Sequence, residues 1–137
     1  MTDRNKSHLA GEFLVAGELS RRGYAVSITM GNAKAIDIYA GSKNRVLQVD
    51  AKAGRAKGNW PIKNESVNKK LYYIFVYLQT EKKIKKCNKP PEYFIASGKE
   101  IISKKLIKIW KTRQGITYGC LNKNNKYKER WDKLPPP

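Results

Sequence analysis

Leu9, Phe13, Ala16, Leu19 and Ser20 recur at helical spacing along residues 7–22, with Ser7 placed as an N-cap and Gly23 where helices close. Glu18, Arg21 and Arg22 fall on the outer face, spaced for i,i+3 and i,i+4 pairing. The pattern then shortens to strand-like runs. Tyr24–Met30 (YAVSITM), Ala35–Ala40 (AIDIYA) and Arg45–Lys52 (RVLQVDAK) read as three short strands, divided by turn signals at Gly31-Asn32 and Gly41–Asn44. Connections this short predict antiparallel neighbours, because a parallel crossover takes roughly a dozen residues or more.

Residues 53–68 read as a loop broken by Gly54, Gly58 and Pro61. Leu71–Leu78 (LYYIFVYL) predicts a buried strand. Lys82–Pro91 reads as a basic loop, and Glu92–Ser97 as a fifth strand. Lys99–Arg113 predicts an amphipathic helix with Ile102, Leu106, Ile109 and Trp110 inward and Lys104, Lys105, Lys108 and Lys111 outward. A short strand at Ile116–Cys120, a last helix at Lys126–Leu134 and a frayed Pro135–Pro137 complete the chain. The order is α-β-β-β-loop-β-β-α. It predicts an α/β fold with a mixed sheet under helices, not an all-β barrel.

Composition narrows the classes. The 137 residues suit one domain, long enough to bury a core without disulfides or a structural metal. No apolar run approaches the roughly 20 residues of a membrane span. The N-terminus lacks a secretory h-region, so a cytoplasmic protein is expected. Cys87 and Cys120 form no CxxC pair and His8 is the one histidine, which excludes a disulfide scaffold, a cysteine zinc site and a multi-histidine site. The formal charge is +18. It is concentrated: residues 1–52 hold 8 basic and 5 acidic residues, residues 53–137 hold 21 and 6. Clustered Lys and Arg release counterions from phosphates, so a polyanion partner is expected. The plainer account of the same charge is solubility.

Three carboxylates and one lysine stand apart. Asp37 interrupts an apolar strand between Ile36 and Ile38, and a buried carboxylate needs a partner or a cation. On the third strand, alternation puts Gln48, Asp50 and Lys52 on one face. Glu12 shares a helical row with Leu9, Ala16 and Leu19, so it reaches toward the core. Two carboxylates converging from adjacent strands beside a lysine are the parts of a hard-cation site for phosphodiester hydrolysis. The competing account places Asp50 and Lys52 on a solvated strand face, Asp37 on turn amides and Glu12 beside a surface lysine.

The arrangement Glu12 … Asp37 … Asp50-Ala51-Lys52 resembles the PD-(D/E)XK nuclease superfamily, and within it the Holliday-junction-resolvase-like members. The segment GEFLVAGELSRRGYAV resembles their opening helix and strand. The likeness covers residues 8–52 and extends loosely to the Tyr93–Ala96 strand. Ile36 stands before Asp37 where the motif has a proline, which the superfamily dispenses with. The resemblance implies a restriction-endonuclease-like αβββ(α)βα core and hydrolysis of DNA. It implies Asp37, Asp50 and the Ala51 carbonyl as ligands of Mg²⁺ or Mn²⁺, Lys52 as the catalytic lysine, and Glu12 as the supporting helix acid. Gln48, on the same strand face, is an assisting candidate. A homodimer is expected from members that cut two strands with two copies of one site.

Arg55, Lys57, Lys82, Lys83, Lys85 and Lys86 are the candidate nucleic-acid contacts, DNA before RNA, and Trp60 is placed either to stack on a base or to cover the sheet. His8 is expected at the surface, and no glycine pattern makes a phosphate loop. Besides the nuclease, two other readings stand: a non-catalytic nucleic-acid-binding module on the same fold, and a subunit whose lysines meet an acidic protein.

Overall fold

The computed structural model describes residues 3–29 and 36–137. The first helix, α1, runs Asp3–Arg21, and three strands follow: β1 Ala25–Ile28, β2 Ile38–Gly41 and β3 Val46–Gly54. They form the expected antiparallel meander. The Gly31-Asn32 turn and the strand ends at Met30 and Ala35 lie outside the described residues. β4 (Asn59–Pro61) leaves this sheet, and β5 (Tyr72–Tyr77) returns parallel to β3. Next come α2 (Glu81–Lys86), β6 (Glu92–Ser97), α3 (Gly98–Ser103), the hairpin β7 (Lys108–Trp110) and β8 (Arg113–Thr117), and α4 (Tyr118–Leu121). The main sheet is five-stranded and mixed, in the order β1-β2-β3-β5-β6, and β4-β8-β7 form a second sheet. The fold is thus mixed α/β with helices flanking a mixed sheet. No described helix is long and apolar enough to cross a membrane.

Each face of the main sheet has its own core. On one face α1 lays Val15, Ala16 and Leu19 against Ile38, Val49, Ile74 and Ile95, and Trp131 and Leu134 close the end. On the other face the second sheet, α3 and α4 bring Trp60, Ile101, Ile116 and Leu121 onto Phe75 and Phe94. β5 is apolar throughout because both of its faces are covered.

Several sequence expectations are corrected. Ser7 lies inside α1 rather than capping it, and Phe13 is 53% exposed, off the buried row of Gly11, Glu12, Val15, Ala16 and Leu19. The 53–68 loop contains β4 and a 3₁₀ turn at Asn64–Ser66. The basic 82–91 segment opens as α2, whose N-cap Thr80 accepts the Lys83 N–H at 3.2 Å. The long helix at 99–113 stops after α3. Ser97 and Glu100 make a capping box at its start. At its end Lys105 turns left-handed (φ 50°), its N–H donates to Ile102 and that of Leu106 to Ile101. That is a Schellman closure, normally marked by glycine, and here hidden by a lysine. Burial of Leu106 and Ile101 stabilises it.

The tail differs too. The strand expected at 116–120 ends at Thr117, the N-cap of α4. In place of a helix at 126–134 there is a bridge from Lys128 to Phe94 and a 3₁₀ turn at Trp131–Lys133. The terminal prolines are anchored rather than frayed, since the Tyr24 hydroxyl donates to the Pro135 carbonyl.

α1 sits close on β3 because Gly11 lacks a side chain. A Cβ there would lie 2.5 Å from Ala53 Cβ, whereas one at Gly17, in the same helix, meets nothing within 4 Å. The two glycines predict opposite signs. Gly17→Ala should stabilise by about 0.5–1 kcal/mol through helix propensity. Gly11→Ala should destabilise by about 1–3 kcal/mol through overpacking, and Ala53→Gly should return part of that loss. Urea denaturation of the variants checks this; a stabilising Gly11→Ala would refute the close packing.

Candidate active site

β3 outruns β2. Their pairing ends at Ile38 opposite Val49, while β3 continues to Gly54 beside β5. Among the described residues no strand covers the other edge of 50–54. A buried backbone N–H at such an edge needs an acceptor. For Ala51 it is a side chain: its N–H donates to Asp37 Oδ2 at 2.9 Å. The carbonyl of a strand residue projects to the same side as its N–H, so the Ala51 oxygen faces this edge as well.

Asp37 is held there by Thr29, the residue that follows β1. The Thr29 N–H donates to the Asp37 carbonyl at 2.9 Å, and the Thr29 hydroxyl reaches the carbonyls of Ile36 and Asp37. One step beyond the Ile38–Val49 pair, Asp37 falls across from Asp50, and its carboxyl is near enough to oppose the ionisation of Asp50. Lys52 Nζ lies 3.5 Å from Asp50 Oδ1. Burial is the main reason the Asp50 carboxyl is pushed up to about 6; Lys52 pulls the other way, and Asp37 adds to the rise.

Glu12, 2% exposed, arrives from α1. One turn earlier, His8 Nε2 lies 2.9 Å from Glu12 Oε1, with the His8 side chain half exposed. Ligand atoms of His8, Glu12 and Asp37 all fall within 4.8 Å of one another. Glu12, Asp37, Asp50 and Lys52 are therefore gathered at one place. His8 lies at the surface, as expected, and also joins them. Its i,i+4 spacing from Glu12 is the sequence signal for that.

Two clefts meet at Asp50 and Lys52. One, of about 750 Å³, is walled by Arg4, Ser7 and His8 of α1 together with Asp37. The other, of about 570 Å³, runs past Lys63 to Arg113 and Gln114 of β8. Gln48 shares the strand face but lines a separate groove of about 900 Å³ with Arg45, Lys69 and Lys70, so it stands apart from the cluster.

The basic candidates are dispersed. The Arg55 guanidinium ties α1 to the end of β5, donating to Ser7 Oγ and to the Gln79 carbonyl at 3.2 Å each. Lys57 lies over the rings of Tyr118 and Tyr77, at 5.2 and 5.8 Å. Lys82, Lys83, Lys85 and Lys86 are exposed on α2. Trp60 is 3% exposed, and its indole N–H donates to the Val76 carbonyl at 3.3 Å. It covers the sheet and is closed to a nucleobase.

Comparison with protein-family models, with curated proteins and with solved structures gives no match. The chemistry of the site rests on its own geometry. Two carboxylates and an edge carbonyl form an oxygen-only donor set suited to a hard divalent cation. Two acids in contact beside one lysine also carry the excess negative charge that such a cation neutralises.

The raised Asp50 carboxyl sets a pH dependence. The folded state holds this proton more tightly than the unfolded chain does. The group's contribution to stability is thus complete below about pH 4 and is lost as pH rises through about 6. In chelator, Asp50→Asn should be more stable than wild type by about 1–2 kcal/mol at pH 8, and the gain should vanish at pH 4. Urea titrations at both pH values measure it. An equal gain at both would mean that the Asp50 charge carries no penalty.

Proposed function

We propose that this protein is a divalent-metal-dependent nuclease that hydrolyses phosphodiester bonds in DNA, on a core of restriction-endonuclease-like type. The observation that carries the reading is the convergence of Glu12, Asp37, Asp50 and Lys52 at the step where β3 outruns β2. The order α1-β1-β2-β3, with β5 parallel to β3, supports that core. Between β3 and β5 the chain has β4 and a 3₁₀ turn where the resemblance implies a helix.

In this reading Asp37, Asp50 and the Ala51 carbonyl hold Mg²⁺ or Mn²⁺, which when bound polarises a phosphate and acidifies a water. Lys52, beside Asp50, stabilises negative charge that develops on the phosphate oxygens. Glu12, gripped by His8, orients water from the α1 side of the cleft. Two clefts that share Asp50 and Lys52, one walled by α1 and the other by β8, suit a chain that passes through the site rather than a mononucleotide that ends in it. The +18 charge favours a polyanionic substrate. Two copies of the site in a homodimer would serve two strands.

Wild type, Asp50→Asn and Lys52→Ala should be compared on single-stranded, duplex and branched DNA with Mg²⁺, Mn²⁺ or chelator. Wild type should cut only with metal. Asp50→Asn should lose cleavage, because Asn keeps the size of Asp but not the charge that binds the cation. Lys52→Ala should fall by about 10²–10³ in rate. Equal cutting by wild type and Asp50→Asn would expose a contaminating nuclease. No cutting of any DNA or RNA form by wild type would overturn the reading and leave a binding module.

A further inference from the structure

The β7–β8 hairpin exposes what a fold normally hides. Trp110 is 39% and Ile109 65% exposed, while Trp60 and Trp131 are buried. Lys108, Lys111 and Arg113 are exposed around them. Residues 101–128 contain eight Lys or Arg and no Asp or Glu. The hairpin is nonetheless firmly seated. Ile116 is fully buried, and the Gln114 side chain accepts from the Asn64 N–H at 2.9 Å. At Gly115 an added Cβ would lie 2.8 Å from the Trp60 carbonyl, so β8 is pressed against β4. Trp110 is paired across the ribbon with Arg113, and Arg113 lines the cleft that holds Asp50 and Lys52. An aromatic, cationic tip on a firmly seated strand therefore stands at the mouth of the candidate active site.

We propose that this hairpin is a nucleobase-stacking element. Trp110 stacks on an unpaired base of a single-stranded or locally opened nucleic acid, and Lys108, Lys111 and Arg113 take the neighbouring phosphates. Charge selects the partner, since a run of cations with no acid among them suits a polyanion. The exposed ring selects the form. Base faces are hidden inside a duplex and open to an aromatic side chain only where bases are unpaired. Delivery of that strand to Asp50 and Lys52 rests on the nuclease reading; the stacking itself does not.

The test is binding in chelator, where nothing is cut. Wild-type tryptophan fluorescence reports stacking, and the anisotropy of a dye-labelled ligand reports the affinity of every variant, for a single-stranded oligonucleotide of about 12 nucleotides, its duplex, and heparin, a polyanion without bases. Wild type should be quenched by the single strand and bind it more tightly than the duplex. Trp110→Ala should lose about tenfold in single-strand affinity and keep both its heparin affinity and its urea-unfolding midpoint, the latter reporting intact folding. Trp110→Phe should restore most of the loss. Unchanged single-strand binding by Trp110→Ala overturns the proposal. So does an equal loss for heparin, a wild type that binds no nucleic acid, or a hairpin face consumed in a dimer that Trp110→Ala dissolves. Binding of this kind by a protein that never cuts refutes the nuclease and keeps the hairpin's role. Cutting by a protein whose single-strand binding ignores Trp110 does the reverse.

Discussion

A step in the sheet organises this molecule: β3 continues past the end of β2, and the exposed ladder must be satisfied by something other than a strand. The Asp37 carboxylate does so by accepting the Ala51 N–H. That one bond fixes an acid against an edge where Asp50 already lies. It sets two carboxylates together in a partly dehydrated place, and the Asp50 proton is held more tightly as a result. Glu12 completes the cluster because α1 sits close to β3, and α1 sits close because Gly11 meets Ala53 without a Cβ between them. Backbone supply and backbone demand at the step thus generate the concentration of charge on which any chemistry here depends.

The two faces of the main sheet divide the labour. The α1 face is aliphatic and closed, and the chain's end helps to seal it, with the Arg22 guanidinium 4.7 Å from the Trp131 ring centroid. The opposite face is aromatic, built on Trp60, Phe75, Phe94 and Tyr118. It carries a second small sheet whose outer hairpin has no core of its own to bury. Asp50 and Lys52 point to that second face, and the clefts at the candidate site are walled by α1 on one side and by the hairpin on the other.

The basic residues singled out from the sequence do not gather at the acid cluster. The lysines of α2 sit on a solvated helix, and Arg55 is occupied in joining α1 to β5. Besides Lys52, the Lys and Arg residues that line the clefts at the acid cluster are instead Arg4, Lys63 and Arg113, drawn from three separate stretches of chain. Proximity of this kind has no signature in a run of basic residues.

Sequence by itself determined what depends on near neighbours. α1, the β1–β3 meander, β5 and β6 were legible because side-chain alternation and helical rows are local properties. For the same reason the positions of Glu12, Asp37, Asp50 and Lys52 stood out as acids and a lysine within apolar patterns. Tertiary structure decided the rest. α3 stops at Lys105 because burying Leu106 on Ile101 outweighs the cost of a left-handed lysine, and no glycine announces it. That stop converts the remaining apparent helix into a hairpin and turns Ile109 and Trp110 outward, while Trp60 goes in. Which tryptophan is buried, and which histidine meets the acids, depends on contacts between segments far apart in the chain, and a periodicity read along one segment carries no record of them.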